Sequence, residues 1–216
     1  MAKGSKVHNR IGGILKIGNT VLFIRYLNND GLPKSGFHLP SIAFEENNQK
    51  KHLADAFYVN FASEVKVLKG LLPVRKGKDT LIPYYCEEET PVKFPHEGFE
   101  AIYLSMDECK TRPIEPLDYL VARKALAFLP YLKGKKRQVP FTPEEHDKIA
   151  TMFDSLDYFK KSIGKEETKQ FLRLVNSNAS YQNILEAYRI ILEEYGCNYY
   201  DYSDYLAHNG KRKVRL

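Results

Sequence analysis

Tryptophan is absent from this chain of 216 residues, and methionine and cysteine occur only three times each. No apolar run approaches the ~20 residues that a membrane-spanning helix needs, so no membrane-spanning helix and no membrane partner are expected. The cysteines, Cys86, Cys109 and Cys197, are odd in number and widely spaced. That spacing excludes a disulfide framework and the paired motifs of a zinc site or redox centre. Free thiols in a reducing compartment are the expectation. The opening MAKGSKVHNR is charged and leads into too short an apolar run for a secretory signal. No internal repeat occurs. A cytoplasmic location follows as the expectation.

What is present is an ordinary globular composition, 43% hydrophobic, with 15 Tyr and 12 Phe supplying the aromatic core. That is enough for one large domain or two small ones. The net charge of +6 is unevenly spread. Residues 1–140 hold 22 Lys and Arg against 15 Asp and Glu, residues 141–207 hold 7 against 12, and the last nine residues carry four cations and no acid. A basic first region either packs against the acidic second one or faces an anionic ligand.

Pattern divides the chain in the same place. Two β-rich runs, 10–17 and 19–27, are split by Gly18-Asn19, a hairpin signal. A helix is predicted over 48–62, where Leu53, Ala54, Phe57, Tyr58 and Phe61 recur at helical spacing. Strands follow at 65–72, 80–86 and 99–104, then a short capped helix at Ser105 and a longer helix from Leu117 to Leu132. The segment KGKKRQVP at 133–140 reads as a basic linker. Thr142, Pro143 and Glu145 then form a capping box that opens a helix to about Ile163. Further helices are predicted over 165–175 and 181–195, the last ended by Gly196. The expected domains are an α/β (α+β) unit at 1–132, the linker at 133–140, a small all-α or winged-helix-like unit at 141–207 and a basic tail at 208–216.

Residues 20–64 carry a resemblance to a known family. An apolar strand, Val21 to Arg25, leads through a Gly/Pro/Asn loop to Phe37-His38-Leu39-Pro40, then a polar turn, a helix and a second apolar strand. That order and those lengths resemble the Nudix superfamily, in which a strand ending Leu-Pro-Gly-Gly opens a box of glutamates that hold magnesium against a diphosphate. The resemblance implies a mixed sheet flanked by helices. It does not extend to the ligands. With Leu39-Pro40 as the family's Leu-Pro, the two glycines become Ser41 and Ile42, and the first glutamate becomes Asn48. The Arg-Glu pair becomes Ala56-Phe57, the Glu-Glu pair Asn60-Phe61 and the closing glycine Ser63. Mg²⁺ requires near-octahedral oxygen donors, chiefly carboxylates and phosphates, and these side chains supply no carboxylate charge. No metal ligand is therefore assigned and no cofactor is expected.

The reading that follows is a catalytically degenerate Nudix-like protein, a sensor or scaffold for a nucleotide-like or other anionic ligand. Arg10, Arg25, Phe37, His38 and Phe44 surround the expected cleft mouth, offering cations for phosphates and rings for a base. Two alternatives stay open. An active hydrolase of nucleoside diphosphate derivatives would use Mg²⁺ held by the remaining acidic runs, Glu45, Glu46, Glu87, Glu88 and Glu89. A DNA-binding regulator would fold the tail into a wing around Asn209-Gly210 and contact phosphates through Lys211, Arg212, Lys213 and Arg215.

Overall fold

In the computed structural model, which describes residues 8–44, 47–93, 98–134 and 136–209, the chain forms two units, Met1–Ala125 and Leu126–Leu216. The first is a mixed sheet with helices, the α/β class expected. Strand β1 (His8–Ile17) turns through Gly18-Asn19 into β2 (Thr20–Tyr26), with Ile17 opposite Thr20. Gly18 has φ 56°, the left-handed conformation such a two-residue turn requires. Then come β3 (Ser41–Ala43), α1 (Gln49–Phe61), β4 (Val65–Gly70), β5 (Val74–Lys76), β6 (Asp79–Glu88) and β7 (Phe99–Leu104), followed by α2 (Met106–Cys109) and α3 (Pro116–Ala127).

The sheet order is β4-β6-β1-β2-β7, with β3 paired to β1 and β5 to β6. β1 is its pivot. It runs parallel to β6 from His8↔Asp79 to Leu15↔Cys86, and antiparallel to β3 and β2 along its other side. Val21, Leu22, Phe23 and Ile24 are all buried, so both faces of β2 are covered, as a continuous apolar run predicts. One face holds the core of Ile11, Leu15, Leu22 and Ile24 against Leu53, Phe57 and Phe61 of α1. Phe57 lies so close to the sheet that a Cβ on Gly13 would meet its ring at 2.4 Å, which accounts for glycine there. α1 ends at Ala62 in the left-handed conformation, its N–H capping the Tyr58 carbonyl.

The second unit is all helical: α4 (Leu129–Leu132), α5 (Pro143–Tyr158), α6 (Lys160–Ile163), α7 (Lys165–Val175), α8 (Tyr181–Glu194) and α9 (Tyr199–Asn209). Its core is Ile149, Met152, Phe153 and Leu156 with Phe171, Leu174, Ile184, Ala187 and Ile191. The predicted capping box is formed: the Thr142 hydroxyl accepts from the Glu145 N–H at 3.2 Å and the Glu145 carboxylate accepts from the Thr142 N–H at 3.0 Å. No helix among the described residues is long and apolar enough to cross a membrane.

Several expectations are corrected. The helix read from Leu117 to Leu132 breaks at Phe128, because Pro130 lacks an N–H and obstructs a continuous helix. The one read to Ile163 breaks at Phe159. The supposed linker packs on its own unit: Lys136 bridges Ser177, and the Arg137 guanidinium donates to the carbonyls of Val175, Val139 and Ala179. Residues 199–209, which the regulator alternative would draw into a hairpin, form α9, and residues 210–216 of that hairpin lie outside the described residues. Tyr199 and Tyr202 stack edge-on against one another, and Tyr202 and Tyr205 pack on Tyr158.

Burial also fixes how the protein responds to alkali. The thiol of Cys86 is pushed up from 9.0 to about 12 by desolvation, that of Cys109 to about 11, and the Tyr188 phenol from 10.0 to about 12. Below pH 9 these groups are protonated in folded and unfolded chains alike, so their contribution is fully present. As pH rises toward 12 the unfolded chain loses protons first and stability falls. Urea titrations between pH 8 and 12 should show midpoints declining through that window, and Cys86→Val should flatten part of the decline. Midpoints level across the window would contradict the assignment.

Candidate functional site

Arg10 sits on β1 opposite Ala43 of β3, so its side chain stands beside Ser41 and the 37–40 loop. Its guanidinium donates to Asp118 of α3 at 2.7 and 3.4 Å and to the Ser41 hydroxyl at 3.2 Å. Asp118 is fully buried and also accepts the Leu39 N–H at 2.8 Å. One carboxylate thus ties β1, the His38-Leu39-Pro40 loop and α3 together. His38 exchanges two backbone hydrogen bonds with Ile24 of β2, both 2.8 Å. Its Nδ1–H donates to the Leu39 carbonyl at 3.0 Å, which leaves Nε2 as the ring nitrogen not engaged in that bond.

Beside these residues lies an open groove of about 690 Å³, lined by Arg10, Tyr26, His38, Ser41, Asp79 and Glu115 among others. Tyr26 is 49% exposed and its ring lies 5.4 Å from that of His38. Of the five residues expected to bind a ligand, Arg10 and His38 line this groove. Phe37 is fully buried and belongs to the core. Arg25 covers that ring at 4.4 Å and pairs with Glu100 at 2.6 Å. Phe44 is partly exposed, its N–H bonded to the Asn9 carbonyl, and does not line the groove. Tyr26 sat beside these five in the sequence. Asp79, Glu115 and Asp118 did not stand out there, since nothing local marks a carboxylate whose partners lie on other elements.

The face of α1 toward the sheet is filled. Between α1 and the sheet remains a cleft of about 20 Å³ lined by Pro40, Leu53, Ala56, Phe57, Asn60 and Phe61, among others. That is room for about one water. The Asn60 amide is committed to the Ala56 carbonyl at 2.9 Å, and the one carboxylate of α1, Asp55, is exposed. These side chains do not fit a divalent cation. Glu87, Glu88 and Glu89 stand exposed at the end of β6, and Glu88 accepts the Val92 N–H at 2.8 Å. Among the described residues no three His, Cys, Asp or Glu converge as metal ligands. Glu45 and Glu46 lie outside the described residues, as do Lys211, Arg212, Lys213 and Arg215.

No protein-family model matches this chain, and no curated protein does. Solved structures similar to it include the ORF135 protein of E. coli, at 13% identity over 56% of this chain and 90% of that one, with a TM-score of 0.44. Another is an ADP-ribose pyrophosphatase from Streptococcus suis, at 14% identity over 54% of this chain and 85% of that one, with a TM-score of 0.39. A NUDIX hydrolase from Nitrosomonas europaea overlaps at 10% identity over 57% and 72%, with a TM-score of 0.42.

Proposed function

We propose that the first unit binds a nucleotide-like ligand in the groove beside β1 and β3, as a sensor or scaffold, without hydrolysing it through α1. The observation that carries this reading is the exposed Tyr26 ring set against His38 at the mouth of a groove whose wall holds Arg10 and Ser41. An aromatic face accepts a base by stacking, and the His38 Nε2 accepts a hydrogen bond from its edge. Asp79 and Glu115 offer acceptors to sugar hydroxyls. Arg10, with 28% of its side chain exposed, presents the cation that a phosphate requires.

Calorimetric titration with nucleoside monophosphates, diphosphates and diphosphate sugars, with and without Mg²⁺, tests this. At least one class should bind, and Tyr26→Ala should weaken it by about tenfold or more, the scale of a lost stacking partner. The absence of binding across the panel would end the reading. Mg²⁺-dependent release of phosphate or a nucleoside monophosphate by the wild-type protein would replace it with a hydrolase.

A further inference from the structure

The second unit contains an open groove of about 1120 Å³ that the reading above does not use. Its floor is apolar: Phe141, Ile149, Phe153, Leu172 and Val175. Leu172 is 44% exposed, although Phe171 and Leu174 on the same helix are fully buried. On α7 the lining residues recur every three or four positions from Lys165 to Asn176. At 1.5 Å per residue the groove therefore follows that helix for about 16 Å. α5 contributes the facing wall through His146, Ile149, Phe153 and Asp157.

The charge around this floor is lopsided. Lys160 and Lys165 stand at one end, Lys169 along the edge and Arg137 at the other, against the single carboxylate of Asp157 among the lining residues. Lys160 pairs with Asp157 at 3.4 Å and Lys169 with Glu166 at 2.6 Å. Both are exposed pairs, of the kind that exchange readily for another anion. Arg137 is fixed, its guanidinium 3.5 Å over the Phe141 ring and bonded to three carbonyls, so the far end keeps a positive wall.

We infer that this groove docks an amphipathic helix of a partner protein, with an apolar stripe laid on the floor and acidic residues on both flanks. Helix-in-groove binding reads anchors at i, i+3 or i+4, and i+7, which span about 10 Å and fit within the length available. The distribution of cations selects this occupant. A single-headed amphiphile needs positive charge at one end of an enclosed apolar slot that covers most of its surface. Here cations stand at both ends and along an edge, and the floor is open along its length. A helix presents charge at both ends and along its sides while leaving its outer face in solvent.

The test uses the full chain and a labelled helical peptide of about 18 residues with Leu at anchor spacing and Glu on the flanks, against a version with Lys on the flanks. Anisotropy should show saturable binding of the acidic peptide, weakened roughly tenfold by the charge reversal and again by moderate salt. Leu172→Glu should abolish it with the melting temperature unchanged, since that side chain is exposed. Lys165→Glu combined with Lys169→Glu should weaken it and reduce the salt dependence, while nucleotide binding by the first unit stays intact. Equal binding of both peptides, binding by Leu172→Glu, or no binding at all would overturn the proposal. So would displacement by palmitate at comparable affinity, which points to a lipid. Self-association of the chain that Leu172→Glu abolishes would assign the groove to a second copy instead.

Discussion

Replacing Asp118 by alanine should lower the stability of the first unit by about 3–5 kcal/mol, the range for breaking a buried ion pair from one side. The carboxylate is fully buried and serves three donors on two other elements: both Arg10 nitrogens and the Leu39 N–H. Without it the Arg10 charge loses its partner. The guanidinium is 28% exposed and recovers some hydration, which holds the expected loss toward the lower bound. The Leu39 N–H has no such outlet, and an unmet buried donor alone costs about 1–3 kcal/mol. Asp118→Asn should be milder than alanine, since its amide oxygen still accepts from Leu39. Urea unfolding measures the difference. A loss below about 1 kcal/mol for alanine would show that the three hydrogen bonds do not hold the 37–40 loop as described. Because Arg10 and Ser41 form the groove wall, nucleotide affinity should fall together with stability in both variants.

Phe57→Glu should prevent the first unit from folding. The substitution puts on α1 a carboxylate of the kind that a magnesium ion would need. The site gives that carboxylate nothing. Phe57 is 1% exposed, packs on Phe61 with ring centroids 5.4 Å apart, and lies against the backbone of β1 at Gly13. Removing a buried Phe ring costs about 3–5 kcal/mol. Burying a carboxyl group without a partner adds several more, whether it stays charged or takes up a proton. The sum reaches the ~5–15 kcal/mol that holds a typical domain together. Circular dichroism and thermal melting should report an unfolded first unit, and Phe57→Leu, which keeps most of the apolar volume, should remain folded. If the Phe57→Glu protein melted like the wild type and gained Mg²⁺-dependent hydrolysis, both this prediction and the account of α1 as a packing helix would be sunk.

The parts of the fold that the sequence announces are those whose signals are local. Gly18-Asn19 marks the β1–β2 turn, the spacing of Leu53, Phe57 and Phe61 marks α1 to within a residue at each end, and Thr142 with Glu145 marks the start of α5. Strands β3 and β5 escape because three residues cannot display a period. Each is drawn into the sheet by a neighbour, β3 by β1 and β5 by β6. α9 escapes because a run of Tyr and Asp favours strands and turns in isolation, and rings on other helices determine its state. The site divides in the same way. Arg10 and His38 were legible as polar groups near an expected cleft. That Arg10 belongs to Asp118, 108 positions away, and that Phe37 is core rather than ligand surface, are facts of tertiary packing alone.

The pivot position of β1 also dictates an order of events during synthesis. Its parallel partner β6 lies 71 positions further along, His8 facing Asp79. A ribosome adding roughly 5–20 residues per second needs about 4–14 s to supply it. Until then β1 can pair only with strands of its antiparallel side, and the edge destined for β6 stays open. The backbone N–H and C=O groups along that edge of β1 have no strand partner through that interval. A parallel pairing of such sequence separation closes slowly even when both strands are available. The nascent chain therefore passes through that interval with an open edge on the central strand of its sheet, an exposed template for pairing with another chain.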